Sequence, residues 1–305
     1  MKFFVNFLFN LLVISSVFAQ TQKPAAQEEW VRIFNGKDLS GWDIKIAGQP
    51  LNDNYKNTFR VEDGMMRVMY DQYKTFQGKY GHIYYKQPYS YYRVRFSYRF
   101  LGKQTPEGDS WNVRNSGIML HSQSAASLSL DQTFPVSLEM QLLGGLGTGR
   151  GDGAVRHTGN LCTPGTQMYM AGKLHPEHCT DSNSKTYDGD RWVTAEAIVL
   201  GDSIVHHLID GDTVLTYERP QVGGNFVSES HNWTAGRFSP EAAKHWAGLA
   251  NSPLKEGYIA MQAESHPIDF KQIEVLDLKG CMDPKAVNYK SYFVKADNTR
   301  CQYKK

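Results

Sequence analysis

Hydrophobic and polar residues alternate through much of this chain, and that alternation predicts β-strands. The clearest case is SYYRVRFSYRFL, in which Tyr92, Val94, Phe96, Tyr98 and Phe100 interleave with Arg93, Arg95, Ser97 and Arg99. One face of such a strand belongs to a core and the other to water. FRVE and MMRVMY, between Phe59 and Tyr70, read as a hairpin turned at Asp63-Gly64. SGIMLHSQ sets Ile118 and Leu120 against Met119 and His121, so His121 is expected to point away from Leu120. SLEMQLL sets Leu138, Met140 and Leu142 against Ser137, Glu139 and Gln141. WVTAEAIVL, DSIVHHLID and TVLTY add three short strands, the last two joined at Asp210-Gly211. His206 and His207 are neighbours in a strand and must face opposite ways, which makes both structural. GYIAMQAE and FKQIEVLDL close the series, with Gln262 and Glu264 on one face and His266-Pro267 at the turn. One short helix is expected at AAKHWAGL, with Ser239 as N-cap and Pro240 at its first position. Many short strands with turn signals between them and almost no helical period give an all-β sandwich or jelly roll.

The ends read differently. MKFFVNFLFNLLVISSVFAQ has one lysine, an apolar run from Phe3 to Ile14 and small or apolar residues up to Ala19. It is expected to be a secretory signal peptide of residues 1–19, because Asn6 and Asn10 interrupt a run too short for an anchor. No other segment could span a bilayer. Residues 20–29 read as a disordered polar leader, residues 30–279 as the sandwich, and residues 280–305 as a small Cys-bracketed module.

Composition adds two points. A hydrophobic content of 41% with 21% charged residues is ordinary for a globular chain, but 12% aromatic content is high, and aromatic rings suit both sheet packing and stacking on sugars. The formal net charge of +2 excludes a strong field for nucleic acid or anionic membrane. Export makes the four cysteines readable as disulfides. Cys162 with Cys179 and Cys281 with Cys301 are the local pairings, among three connectivities that four cysteines allow. Zinc at the first pair, beside His157, His175 and His178, lacks a CxxC element and is the weaker reading.

Candidate chemistry gathers between Ser137 and Gly165. Glu139 and Gln141 share a strand face, and a glycine-rich loop carrying Arg150, Asp152, Arg156 and His157 follows. A carboxylate, an amide and a polar glycine loop suit a polyhydroxylated ligand.

The segments FNGKDLSGW, SGIMLHSQ, LEMQLLGG, HTGNLCTPGTQM, DRWVTAEAIVLGDSIVHHLIDGDTVLTY and GYIAMQAESHPIDFKQIEVL together resemble the 3-keto-disaccharide hydrolase family from Trp30 to Leu278. The tail resembles a short GC-x-DP-x-A-x-NY…C-x-Y module of exported bacterial proteins. The resemblance implies a concanavalin-A-like, laminarinase-like jelly roll acting on glycosides oxidised at C3. The ketone acidifies the C2 hydrogen, a general base removes it, the C1 substituent leaves, and water adds to the unsaturated sugar. Such a site needs a base, a donor or metal for the enolate oxygen, and an acid for the leaving group. Glu139 is the candidate base or ligand of a divalent metal, and Gln141 the candidate to orient hydroxyls. His121, His157 and Arg156 are candidates to polarise the ketone or protonate the leaving group, with Glu264 and His266 as further substrate-binding candidates. No cofactor is required by the sequence, and the expected partner is a 3-keto-glucoside or related carbohydrate.

Two other functions share this fold. A retaining endoglucanase needs a second carboxylate about 5 Å across the bond, often as E-x-D-x-x-E, and here Gln141 and Gly144 stand in the later positions. A carbohydrate-binding module without catalysis would use the same sheet face and aromatic side chains.

Overall fold

The computed structural model describes residues 27–147, 155–227 and 231–304. The expected signal peptide, most of the expected leader, and Arg150 and Asp152 of the glycine loop lie outside the described residues.

The alternating segments become two large antiparallel sheets. In the ten-stranded sheet, Tyr91–Phe100 runs between Val193–Leu200 and Ile268–Asp277. Tyr92, Val94, Phe96, Tyr98 and Phe100 are at most 2% exposed and face the second sheet. Burial of each such side chain stabilises by about 1.5–3 kcal/mol, which fixes the register, since a one-residue slip would turn this whole set to water. On the outer face Arg93 meets Glu196 at 2.6 Å and Arg95 meets Glu274 at 2.8 Å. Both predicted hairpins turn with positive φ at two consecutive residues, 52° and 73° at Asp63-Gly64 and 50° and 92° at Asp210-Gly211, as the twist of paired strands favours.

The seven-stranded sheet runs in the order Cys179–Thr180, Asn160–Cys162, Leu138–Leu143, Asn115–Ser122, Tyr258–Ala263, Gly81–Tyr85, Trp42–Ile46. Its inner face supplies Leu138, Met140, Leu142, Ile118 and Met261 to the core. Its outer face is overlaid by loops and by the helix Pro240–Gly248, capped as predicted by Ser239, whose hydroxyl accepts from the Ala242 amide at 3.2 Å. Ala242, Ala243 and Trp246 of that helix pack on a cluster of Val136, Phe226, Trp233 and Phe238 above the sheet.

One expectation about side-chain direction is reversed. His121 has a φ of 47°, at an irregularity where Ser122 pairs with Tyr258 and Met119 with Ala260. The extra residue is a bulge, and it turns His121 inward beside Leu120 instead of outward. Its ring lies 5.7 Å from that of Tyr92, and its Nε2 is 3.2 Å from the Gly201 carbonyl.

Both local disulfides are formed, Cys162–Cys179 and Cys281–Cys301. The second closes a small segment in which Lys279–Gly280 pairs with Lys295–Ala296. Residues 28 and 29, within the polar leader, are already anchored. Glu28 pairs with Arg93 at 2.6 Å and Glu29 pairs with Lys290. Trp30 lies 3.8 Å from the Arg95 guanidinium on the outer face of the larger sheet. No helix among the described residues is long and apolar enough to cross a membrane, and two disulfides fit an oxidising compartment.

Candidate active site

Because Leu138, Met140 and Leu142 enter the core, Glu139 and Gln141 project from the opposite face of their strand. Register then decides their neighbours. Glu139 stands opposite Met119 on one side and Cys162 on the other, and Gln141 stands between Gly117 and Asn160. On the next strands Gln262 pairs with His82, and His82 with Lys45. A row of polar side chains therefore crosses the sheet from Lys45 to Asn160, broken at Gly117. Glu139 fills that break. A Cβ on Gly117 would come within 2.8 Å of the Glu139 Cγ and would strike its carboxyl oxygen.

Glu264 emerges just past the end of Tyr258–Ala263, and it lines the same cavity as Glu139 and Gln141, with a volume of about 300 Å³. Glu139 is 6% exposed and Glu264 2%. Burial pushes the Glu139 carboxyl from 4.5 up to about 8, and the nearby Gln262 amide offsets part of that rise. Burial also drives the Glu264 carboxyl well above the usual range, with further upward pressure from the charges of Glu139 and Asp109. The two buried carboxyls act on each other, so the pair gives up its protons in two separated steps, and between them one carboxyl is charged while the other is still an acid.

The polar atoms around them are poised for a ligand. Gln262 is fully buried, lies beside the Glu139 carboxyl without hydrogen-bond alignment, and leaves both amide atoms unpartnered. His82 is held neutral, its pKa lowered to about 3 by burial and by Lys45, and its Nε2 has no partner. One Glu264 oxygen is likewise unsatisfied. Unpaired buried polar groups are costly to keep in a fold, and here Glu264 lines the cavity while Gln262 and His82 lie in the sheet behind it.

These features sit in a chain whose residues 29–276 match the model of the 3-keto-alpha-glucoside-1,2-lyase-like domain. The chain belongs to that family. Membership makes this 3-keto-glucoside lyase relative a carbohydrate-active protein. No curated protein matches it. Its fold is similar to that of a protein from Parabacteroides distasonis ATCC 8503 provisionally assigned as a glycosyl hydrolase, at 14% identity and a TM-score of 0.46 over 82% of this chain and 99% of that one. A galectin-like protein of unknown function from Bacillus subtilis gives 12% and 0.45 over 82% and 97%. The β-glucanase of Bacillus licheniformis gives 12% and 0.40 over 83% and 98%.

In this lyase-family chain the cavity unites Glu139, Gln141 and Glu264 of the residues singled out in the sequence. Other candidates fall elsewhere. His121 is inside the sandwich, as described above. His157 directs Nδ1 to the Ser184 carbonyl, and Arg156 donates to the carbonyls of Val113 and Gly144, both at 2.8 Å. His266 packs edge-on against Phe100 at 5.7 Å and lines a separate depression with Arg114, its pKa lowered to about 4 by burial and by Arg114. Among the described residues, the three-group cluster with metal-ligand spacing is Cys162, His178 and Cys179, and its sulfurs are joined in a disulfide. With both sulfurs bonded to each other, the zinc reading there does not fit these donors.

Several residues at the site were not singled out for chemistry in the sequence. Tyr80 donates to Asp109 at 3.0 Å, accepts from the Asn112 amide at 3.1 Å, and lies nearly parallel to Trp111. His82 occupies a strand, GHIYY, whose near-complete burial hides its alternation. Gln262 carries an ordinary strand signal.

Proposed function

We propose that this chain cleaves 3-keto-glucosides by elimination, with Glu139 as base and Glu264 as acid. Two buried carboxyls lining one cavity carry the reading: of such a pair, one can accept the C2 proton while its neighbour still has one to give. Glu139 takes the C2 hydrogen, and the electron pair moves into a C2–C3 enolate. The Gln262 amide, buried beside the Glu139 carboxyl, positions the base. The enolate then collapses, the C1–O bond breaks, and Glu264 protonates the departing oxygen. Water adds back across the C1–C2 double bond with the roles of the two carboxyls exchanged, and the net reaction is hydrolysis. Gln141 orients sugar hydroxyls from the same strand as the base. Two disulfides and an amino-terminal stretch with signal-peptide character support action outside the cytoplasm.

The test is turnover of a 3-keto-glucoside and its unoxidised parent by the native chain and by Glu139→Gln. Cleavage confined to the keto sugar, and reduced by about 10²–10⁴-fold in the variant, is the expected result. Cleavage of the parent sugar would make the chain a conventional glycosidase. Binding of sugar with no turnover would make it a carbohydrate-binding module.

A further inference from the structure

We infer that the cavity beside Glu139 accepts an aromatic, not a sugar, leaving group. The inference rests on the site reading proposed above and names its substrate class. Apart from the two carboxyls, Gln141 and His178, the walls of the cavity are apolar: Trp111, Phe134, Phe226, Val227, Pro164 and the Cys162–Cys179 disulfide. The aromatic rings form a continuous surface. Trp111 is nearly parallel to Tyr80, at 10° and 6.1 Å between centroids, Tyr80 meets Phe134 at 4.9 Å, and Phe134 meets Phe226 at 6.5 Å. Trp111 is 51% exposed at the mouth of this surface, where a ring can lie against it.

Hydrogen-bonding capacity on this side is confined to Gln141 and His178. Gln141 already accepts from the Asn160 amide at 3.2 Å. His178 is kept neutral by burial, and its Nδ1 is within 3.5 Å of the Thr163 hydroxyl. A second sugar ring brings several hydroxyls, and each one buried here without a partner weakens binding. An aryl ring has no such demand and gains from stacking. Size agrees, because an apolar cavity of about 150 Å³ holds benzene, and this one measures about 300 Å³.

The experiment is calorimetric binding of the 3-keto forms of phenyl, methyl and glucosyl glucosides, in both anomers, to the Glu139→Gln chain and to the same chain carrying Trp111→Ala. The phenyl compound is expected to bind about tenfold more tightly than the other two, and Trp111→Ala to remove that difference. Equal affinity for phenyl and methyl, tighter binding of the glucosyl compound, or binding of none of the three overturns the inference. Turnover by the native chain reports separately on the chemistry. A preference for phenyl without turnover would leave the subsite standing and remove the elimination mechanism, whereas turnover without that preference would do the reverse.

Discussion

The Glu139 carboxyl lies over Gly117 of the adjoining strand, in space that any Cβ at position 117 would occupy. A glycine in a strand interior weakens the strand, and here its bareness makes room for the Glu139 carboxyl between Gln262 and Gln141.

Gly117→Ala is therefore expected to displace the carboxyl rather than to break the backbone. Overpacking of this kind destabilises by about 1–3 kcal/mol, and a misplacement near 1 Å lowers kcat/KM by about 100-fold. In the double variant Gly117→Ala/Glu139→Ala the added methyl meets no carboxyl, so the stability loss from Gly117→Ala is expected to vanish. Urea titration of the four chains measures this coupling. A loss that persists in the double variant would place the strain in the backbone.

Activity should rise with pH over a higher range than in an ordinary carboxylate enzyme, whose base is charged from about pH 4.5 upward. Burial pushes the Glu139 carboxyl up to about 8, so kcat/KM is expected to climb through the neutral range toward pH 8. A profile already flat at pH 6 would remove Glu139 from the role of base.

Stability moves the other way. Folding raises the Glu139 pKa from 4.5 to about 8, so the folded chain keeps a proton that the unfolded chain has lost. The contribution is whole below pH 4.5 and declines by roughly 1.4 kcal/mol per pH unit up to about 8. Glutamine has no such proton, and Glu139→Gln should gain on the native chain as pH rises from 5 to 8. Denaturation midpoints across that range read the difference, and parallel curves for the two chains would contradict it.

The two disulfides should separate in their effects. Each closes a loop of similar length, worth about 3 kcal/mol in the chain-entropy model, but Cys162–Cys179 also walls the cavity beside Glu139. Cys162→Ser/Cys179→Ser is expected to lower both stability and kcat/KM. Cys281→Ser/Cys301→Ser should loosen the carboxy-terminal segment and leave kcat/KM unchanged. Equal kinetics in both double variants would show that the cavity wall does not need its crosslink.

The sandwich was legible because alternation with period two survives in nearly every strand, and Tyr91–Phe100 displays it over ten residues. Glu139 was legible for the same reason, as a carboxylate sharing with Gln141 the polar side of an alternating strand. His121 was not, because alternation assumes an unbroken register and a bulge leaves no mark in composition. Its reversal places the ring against Tyr92, inside the sandwich and away from the Glu139 cavity. Gln262, His82 and Trp111 come from three segments far apart in the chain, and only cross-strand pairing brings two of them into line with Glu139. Trp111 lies in a one-turn 3-10 helix within a polar loop that has no period to read. Glycine at position 117 looked like a neutral strand residue until its neighbour's side chain was placed above it.

Trp30, Glu28 and Glu29 bind the start of the described chain to Arg95, Arg93 and Lys290, on the outer face of the ten-stranded sheet and against the carboxy-terminal segment. Glu139 opens from the outer face of the other sheet. A tether fixed ahead of Glu28, whether to a bead or to a cell envelope, would thus hold the molecule by its back and leave the cavity turned toward the medium. Immobilised in that orientation, the chain would meet soluble glycosides without the support standing in their way.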